Sequence, residues 1–132
     1  MTKMLISLLI ICLIAFKSVA QRSTDVYISN LQTLFKAENP TSSVPVQWLE
    51  KEKIVQIGNY LYPVGETTVL KWVKNQDTGF SVEFFMQQGT AVSQADNPAF
   101  RRAWWKLSFS SKESCKEFVK LFEGLKKEVS QS

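Results

Sequence analysis

Histidine is absent from this chain, cysteine occurs twice, and glycine occurs five times in 132 residues. Histidine is the most common general base and a frequent transition-metal ligand, so its absence excludes Ser-His-Asp and Cys-His hydrolases in their usual form. The five glycines form no phosphate-binding run, and no calcium loop of alternating Asp and Asn is present. The sequence therefore predicts no catalytic residue, no metal site and no cofactor.

The two cysteines do not suit a disulfide framework. Cys12 lies in an apolar N-terminal stretch and is not preceded by the small residues of a lipoprotein motif. Without that stretch, Cys115 is the one remaining thiol, so an intramolecular disulfide is excluded. Cys115 falls on the apolar face of a predicted helix, which favours a small buried side chain over a nucleophile.

The N-terminus has the pattern of a secretion signal. Lys3 precedes an apolar run, Met4–Phe16, that is well short of the roughly 20 apolar residues a membrane-spanning helix needs. Ser18 and Ala20 are the small residues required at positions −3 and −1 of a cleavage site. We therefore expect a cleavable signal peptide at residues 1–20 and an exported protein, periplasmic or secreted, with no membrane span after cleavage. An uncleaved membrane anchor is the alternative.

Cleavage before Gln21 would leave a single domain, residues 21–132. It removes Lys3 and Lys17, which leaves fourteen basic against twelve acidic residues. This balance does not predict a nucleic-acid partner, which usually needs a clustered basic face. The acidic residues are scattered along the sequence, although a pair such as Glu66 and Glu83 could meet in space as in a glycosidase.

The periodicity of the apolar residues predicts one helix, then a sheet. Tyr27, Ile28, Leu31, Leu34 and Phe35 recur at spacings of three and four, which indicates a helix over residues 24–38. Beyond Pro40 the pattern alternates, with β-branched and aromatic residues. It predicts strands at Val46–Leu49, Lys53–Tyr62, Thr67–Lys74, Phe80–Gln87 and Arg101–Phe109, and a short one at Thr90–Ser93. We expect the second strand to break at Gly58-Asn59.

The last element is an amphipathic helix. Ser110 and Glu113 have the spacing of a capping box at its N-terminus. One face carries apolar residues and the other is rich in lysine and glutamate. The apolar positions are Cys115, Phe118, Val119, Phe122, Leu125 and Val129.

The stretch from Arg102 to Glu113, followed by a helix that contains Phe118 and Phe122, resembles the end of a pleckstrin-homology-like domain. The resemblance implies a final strand that leads through a Ser-rich turn into a helix that closes an antiparallel barrel. The fold prediction is therefore α+β: an N-terminal helix, an antiparallel sheet or partly closed barrel of about five to seven strands, and a C-terminal helix packed on it. The alternative is one open sheet covered by both helices.

Two pairs of adjacent aromatic residues, Phe84-Phe85 and Trp104-Trp105, distinguish the two faces of the predicted sheet. Neighbours on a strand point in opposite directions, so one member of each pair lies on each face. Trp105 is expected in the core beside Phe84, Leu107 and the Phe118/Phe122 face of the last helix. Phe85, Trp104 and Lys106 then lie on the other face, and with Arg101 and Arg102 they form a candidate interaction patch. We expect the N-terminal helix to cover this second face with Tyr27, Leu31, Leu34 and Phe35. The alternative is an exposed patch for a partner.

The function predicted from these observations is that of a small exported, non-catalytic module that binds a protein or peptide. One alternative is a carrier that holds a small apolar ligand between sheet and helix. Another is an enzyme with a carboxylate site assembled in space.

Overall fold

The computed structural model describes residues 23–42, 44–74 and 79–131, which form an α+β fold. The predicted signal peptide and cleavage site lie outside the described residues. Helix α1 covers residues 23–38. It is followed by β1 (Val46–Leu49), β2 (Ile54–Ile57), β3 (Tyr60–Pro63), β4 (Thr67–Lys74), β5 (Phe80–Met86), β6 (Val92–Gln94), β7 (Arg101–Arg102), β8 (Trp104–Phe109) and α2 (Lys112–Ser130).

Two of the predicted strands, Val46–Leu49 and Thr67–Lys74, have the observed bounds. The predicted strand Lys53–Tyr62 breaks at Gly58, as expected. Gly58 has a φ of 61°, in the left-handed region that favours glycine, and it separates β2 from β3. The short strand lies at Val92–Gln94, shifted toward the C-terminus from its predicted position. The last predicted strand is divided at Ala103 into β7 and β8.

The strands form two antiparallel sheets that share one stretch of chain. One sheet has the order β1-β2-β3-β6-β7, and the other has the order β4-β5-β8. Ala103 alone separates β7 from β8, and its carbonyl accepts the N–H of Met86 at 2.9 Å. Residues 101–109 therefore contribute to both sheets, and β1 and β4 are the strands at the far edges of the two.

Both helices contact these free edges. Gln32 on α1 donates its side-chain amide to the carbonyl of Val46 in β1 at 2.9 Å. Lys126 on α2 donates its ammonium to the carbonyl of Thr67 in β4. Each helix thus satisfies a backbone group that an edge strand would otherwise leave unpaired.

The core is aromatic and lies between the sheets and the helices. Phe84 on β5 is fully buried, with ring centroids 5.1 Å from Tyr62, 5.7 Å from Phe118 and 5.5 Å from Phe122. Helix α1 adds Phe35, which lies 5.7 Å from the ring of Phe109. The buried residues of α2 are Cys115, Phe118, Leu121, Phe122 and Leu125, so four of its predicted apolar positions are confirmed. Val119 and Val129 are half-buried.

The predicted capping box is wrong by one residue. The N-cap of α2 is Ser111, whose hydroxyl accepts the N–H of Ser114 at 3.1 Å. Ser110 instead donates its N–H and its hydroxyl to the two carboxylate oxygens of Glu38, each at 2.9 Å. Either of the two adjacent serines could cap the helix. The carboxylate of Glu38 accepts hydrogen bonds from Ser110, and Ser111 is the cap.

Candidate functional site

The three-stranded sheet β4-β5-β8 has one face turned away from the helices, and we call it the outer face. Strand alternation and register place rows of residues across it. One row contains Lys71, Glu83 and Lys106, and the next pairs Phe85 with Trp104. Their neighbours on the opposite side include Phe84, which is in the core. The predicted division of the doubled aromatics Phe84-Phe85 is therefore confirmed.

Trp104 is the central feature of the outer face. Its side chain is 48% exposed, and its direct cross-strand partner is the half-buried Phe85. Among the described residues, Val26 is the one other large hydrophobic residue that is classed as exposed. Two aromatic residues, one of them widely accessible, are therefore cross-strand partners at one end of the outer face.

The prediction that α1 covers this face is wrong. Leu31 and Phe35 are buried, but Phe35 packs against Phe109 and Phe118 on the core side. The amphipathic pattern of α1 is satisfied there, because its apolar residues join the core of the sheet and α2. Of the two helices that the structure describes, neither is seen to contact Trp104 or Phe85.

The charged row gives the outer face an alternation of sign. The ammonium of Lys71 lies 3.8 Å from the carboxylate of Glu83, whose side chain is 16% exposed. Lys106 lies opposite Glu83 on the next strand and is exposed. Glu83 therefore has a lysine on either side, and the row carries a net positive charge next to the aromatic pair.

The two arginines of the predicted patch are exposed but do not join the aromatic pair. Arg101 donates to the carbonyl of Gly89 at 3.3 Å. The guanidinium of Arg102 lies 4.5 Å from the centroid of the Phe100 ring, a cation–π contact. Phe100 in turn packs edge-on against Trp105, on the other side of the strand from Trp104. The structure thus brings together Phe85, Trp104 and Lys106, and it directs Arg101 and Arg102 toward the preceding loop.

The aromatic rings that contact Trp105 are not the rings of the last helix that the sequence predicts. It is the cross-strand partner of Phe84, as expected, but it is half-buried and stacks on Tyr60 at 4.7 Å and on Phe100 at 5.7 Å. Its indole nitrogen and the hydroxyl of Tyr62 are buried without a hydrogen-bond partner. Burial raises the pKa of Tyr62, and the nearby indole of Trp105 opposes this shift only in part. The Tyr62 hydroxyl is thus held in its neutral form.

Cys115 is a buried thiol, as the sequence predicts. Its side chain is fully covered, and burial, together with the negative charge of Glu38, raises its pKa to about 11. Burial also raises the pKa of Glu38, but hydrogen bonds from Ser114 and Ser110 outweigh this and leave the pKa below the usual glutamate value. The carboxylate joins α1 to the start of α2, and the thiol beside it is unreactive.

Glu66 and Glu83 are separated along the sheet. The carbonyl of Glu66 accepts the N–H of Gln87, which places Glu66 opposite a residue four positions beyond Glu83 in the chain. At about 3.3 Å per residue, the backbones of the two glutamates are roughly 13 Å apart. Within the described ranges, no group of three or more His, Cys, Asp or Glu side chains is arranged to hold a metal ion.

Two surface clefts lie beside α1. One, of about 380 Å³, is lined by Phe35, Glu38, Asn39, Gly79, Ser108, Phe109 and Ser110. The other, of about 650 Å³, lies between α1 and β1 and is lined by residues such as Gln32, Lys36, Val44 and Gln47. Neither cleft is lined by residues of α2. The second cleft lies between a helix and the sheet, which is where the sequence places the ligand of a carrier.

No family model, curated protein or solved structure matches this chain. The resemblance to pleckstrin-homology-like domains therefore stays a prediction. In the part of the chain that the structure describes, no helix is both long and apolar enough to cross a membrane. Function has to be argued from the surfaces.

Proposed function

We propose that this protein is an exported, non-catalytic binding module that holds a protein or peptide partner on its outer face, through Phe85, Trp104 and Lys106. The observation that carries the proposal is the exposure of Trp104, 48%, directly beside Phe85 on a face that α1 and α2 leave open. Tryptophan is the residue most enriched among those that dominate binding energy at protein interfaces.

The chemistry of the face favours a macromolecular partner. An indole offers a large, rigid apolar surface with a single polar N–H, and a partner that covers it gains area at low conformational cost. Lys106 and Lys71 border the aromatic pair and supply the charged rim that such interfaces usually have.

The backbone that carries the aromatic pair is well fixed. β5 is paired along its length with β4 on one side and β8 on the other. Phe85 and Trp104 are therefore held in register before any partner arrives. A surface that needs no rearrangement loses less free energy on binding than a flexible loop would.

The packing between the sheet and α2 supports a surface site over a carrier that would hold its ligand there. Phe84 makes ring contacts with Tyr62, Phe118 and Phe122 in the space where a carried ligand would lie. These side chains are fully buried. A ligand there would have to displace aromatic contacts of the core.

The state of Cys115 fits an oxidising compartment. It is the one cysteine among the described residues, it is buried, and its pKa is raised. A buried thiol with little thiolate character resists oxidation and disulfide exchange. Export would therefore not endanger the fold through this residue.

The proposal is tested by photo-crosslinking in the native host. A benzoylphenylalanine replaces Trp104 in one strain, Phe85 in a second and the exposed Val26 of α1 in a control strain. We expect the same adduct from positions 104 and 85 and none from 26, in the exported fraction. Once that partner is purified, Trp104→Ala should weaken its binding by about tenfold or more, as removal of a central aromatic anchor does. Adducts that are equally abundant at position 26, or wild-type affinity in Trp104→Ala, would contradict the proposal.

A further inference from the structure

The second free edge of the sheet, β4, is long and largely uncovered. It is eight residues in length and lies at the end of the order β4-β5-β8. In an antiparallel edge strand, alternate residues direct their N–H and C=O groups away from the sheet. Lys126 takes the carbonyl of Thr67, and a bulge follows between Thr67 and Val69. From Leu70 to Lys74, no described strand pairs with the outward side.

Lysines border this edge on both faces. Lys71 is exposed on the outer face, where it is partly neutralised by Glu83 at 3.8 Å. On the opposite face, two lysines of α2 lie over the ring of Trp72: the ammonium of Lys112 is 4.8 Å from its centroid and that of Lys116 is 5.9 Å. Lys74 ends the strand and is exposed.

Among the described residues, neither Lys112 nor Lys116 forms a salt bridge. The described residues contain two salt bridges, Lys53–Glu50 and Lys71–Glu83. Lys112 and Lys116 therefore share one indole, and neither is within salt-bridge distance of a described carboxylate. Lys112 is also in the first turn of α2, where the helix macrodipole disfavours a positive charge. The positions of the two lysines do not stabilise the helix. An added anion would reduce the repulsion between the two ammonium groups and the unfavourable interaction of Lys112 with the macrodipole.

We infer that β4 is the docking edge for an extended, acidic segment of a partner, which adds to the sheet as a further antiparallel or parallel strand. Its backbone would pair with the free groups between Leu70 and Lys74, as in other strand-addition complexes. Its acidic side chains would alternate between Lys112 and Lys116 on one face and Lys71 on the other. This inference shares Lys71 with the rim of the outer face, but its other residues and contacts are distinct from those of the aromatic pair, and it stands without the proposed function.

The charge of the edge selects against a second copy of this chain. Two β4 strands paired with each other would bring Lys71 and Lys74 of both copies together, and edge lysines are a known means of preventing such pairing. An acidic segment meets the same lysines with complementary charge. The occupant that charge complementarity favours is therefore an acidic partner.

The probe is a fluorescein-labelled peptide of nine residues that alternates glutamate and threonine. A second peptide has lysine in place of each glutamate. Binding to the exported protein is measured by fluorescence anisotropy, and amide hydrogen exchange is followed in the same complex. We expect saturable 1:1 binding of the acidic peptide, loss of binding at high salt, and new exchange protection between residues 70 and 74.

The decisive variant is Lys112→Glu with Lys116→Glu. It should fold, since a glutamate in the first turn of α2 suits the macrodipole, and it should weaken the acidic peptide by about tenfold, or about 1.4 kcal/mol. Lys120→Glu with Lys127→Glu changes the net charge equally on the exposed side of the same helix and should have less than about a twofold effect. No binding of the acidic peptide, an equal loss in the two double variants, protection outside β4, or a dimer of the free protein would each overturn the inference. Trp104→Ala leaves this site intact, so its result bears on the proposed function alone.

Discussion

Replacing each of the adjacent tryptophans by alanine should separate two structural roles on one strand. Trp105 stacks on Tyr60 and Phe100, and its removal leaves a void between them. Removal of a large aromatic residue from a core costs about 3–5 kcal/mol. Trp105 is half-buried, so we expect the lower end of that range, about 3 kcal/mol.

Trp104→Ala should cost much less. With 48% of the side chain exposed, roughly 100 Å² of a tryptophan's area is covered, which at about 25 cal/mol per Å² gives at most ~2.5 kcal/mol. Three factors make the loss smaller than this upper limit. The alanine side chain still buries part of the area, and the unfolded chain is less exposed than the extended chain used as reference. Removing a side chain at the surface also leaves no cavity. The expected loss is about 1 kcal/mol.

Thermal unfolding followed by circular dichroism measures both changes. For a domain of this size, 1 kcal/mol shifts the Tm by roughly 4 °C, so Trp105→Ala should lower it by about 12 °C and Trp104→Ala by about 4 °C. Trp105→Phe is the matched control. It keeps a ring in the stack and removes an indole N–H that has no hydrogen-bond partner, so its loss should be about 1 kcal/mol. Equal losses for the two alanine variants would refute the assignment of the tryptophans to opposite faces.

Three further predictions concern the junction of the helices. The pKa of Glu38 is lower in the folded protein than in the unfolded chain, so its ionised form stabilises the fold above the unfolded pKa. This contribution is lost as the pH falls through the folded pKa. The difference in urea stability between wild type and Glu38→Gln should therefore be large at pH 7 and small at pH 3. Ser111→Ala removes the N-cap of α2 and should lower the free energy of unfolding by about 1 kcal/mol in the same urea assay. Ser110→Ala keeps the backbone hydrogen bond to Glu38 and should lower it by less. A larger loss for Ser110→Ala would contradict the observed cap. Cys115 should react with Ellman's reagent only at the rate of unfolding, because the thiol is buried and its pKa is raised; fast reaction of the native protein would show that the thiol is accessible.

The strands could be predicted from the sequence because their signals are local. The alternation of apolar residues gives the bounds of β1 and β4, and Gly58 marks the break between β2 and β3. The orientation of Trp104 away from the core follows from strand periodicity alone, which needs no knowledge of the partner strand.

Long-range choices could not be predicted in this way. The apolar stripe of α1 indicates that one face is buried, but it does not say which surface receives it, and Phe35 packs on Phe109 and Phe118 instead of the outer face. The arginines next to the tryptophans in sequence turn toward Gly89 and Phe100 because the strand is interrupted at Ala103. Lys126 has the spacing of a solvent-facing residue, yet it is half-buried and satisfies the edge of β4.

The stretch that joins the two sheets, residues 101–109, lies late in the chain. While a chain is being synthesised, β1 to β3 are able to pair as they emerge, but β5 lacks its second neighbour and the two sheets lack their connection until these residues are present. α2, which completes the core, comes later still. The fold therefore cannot close before almost the whole polypeptide is available, and contacts of such high sequence separation form slowly. For a protein that we propose is exported, this order of events would delay folding until most of the chain has been made.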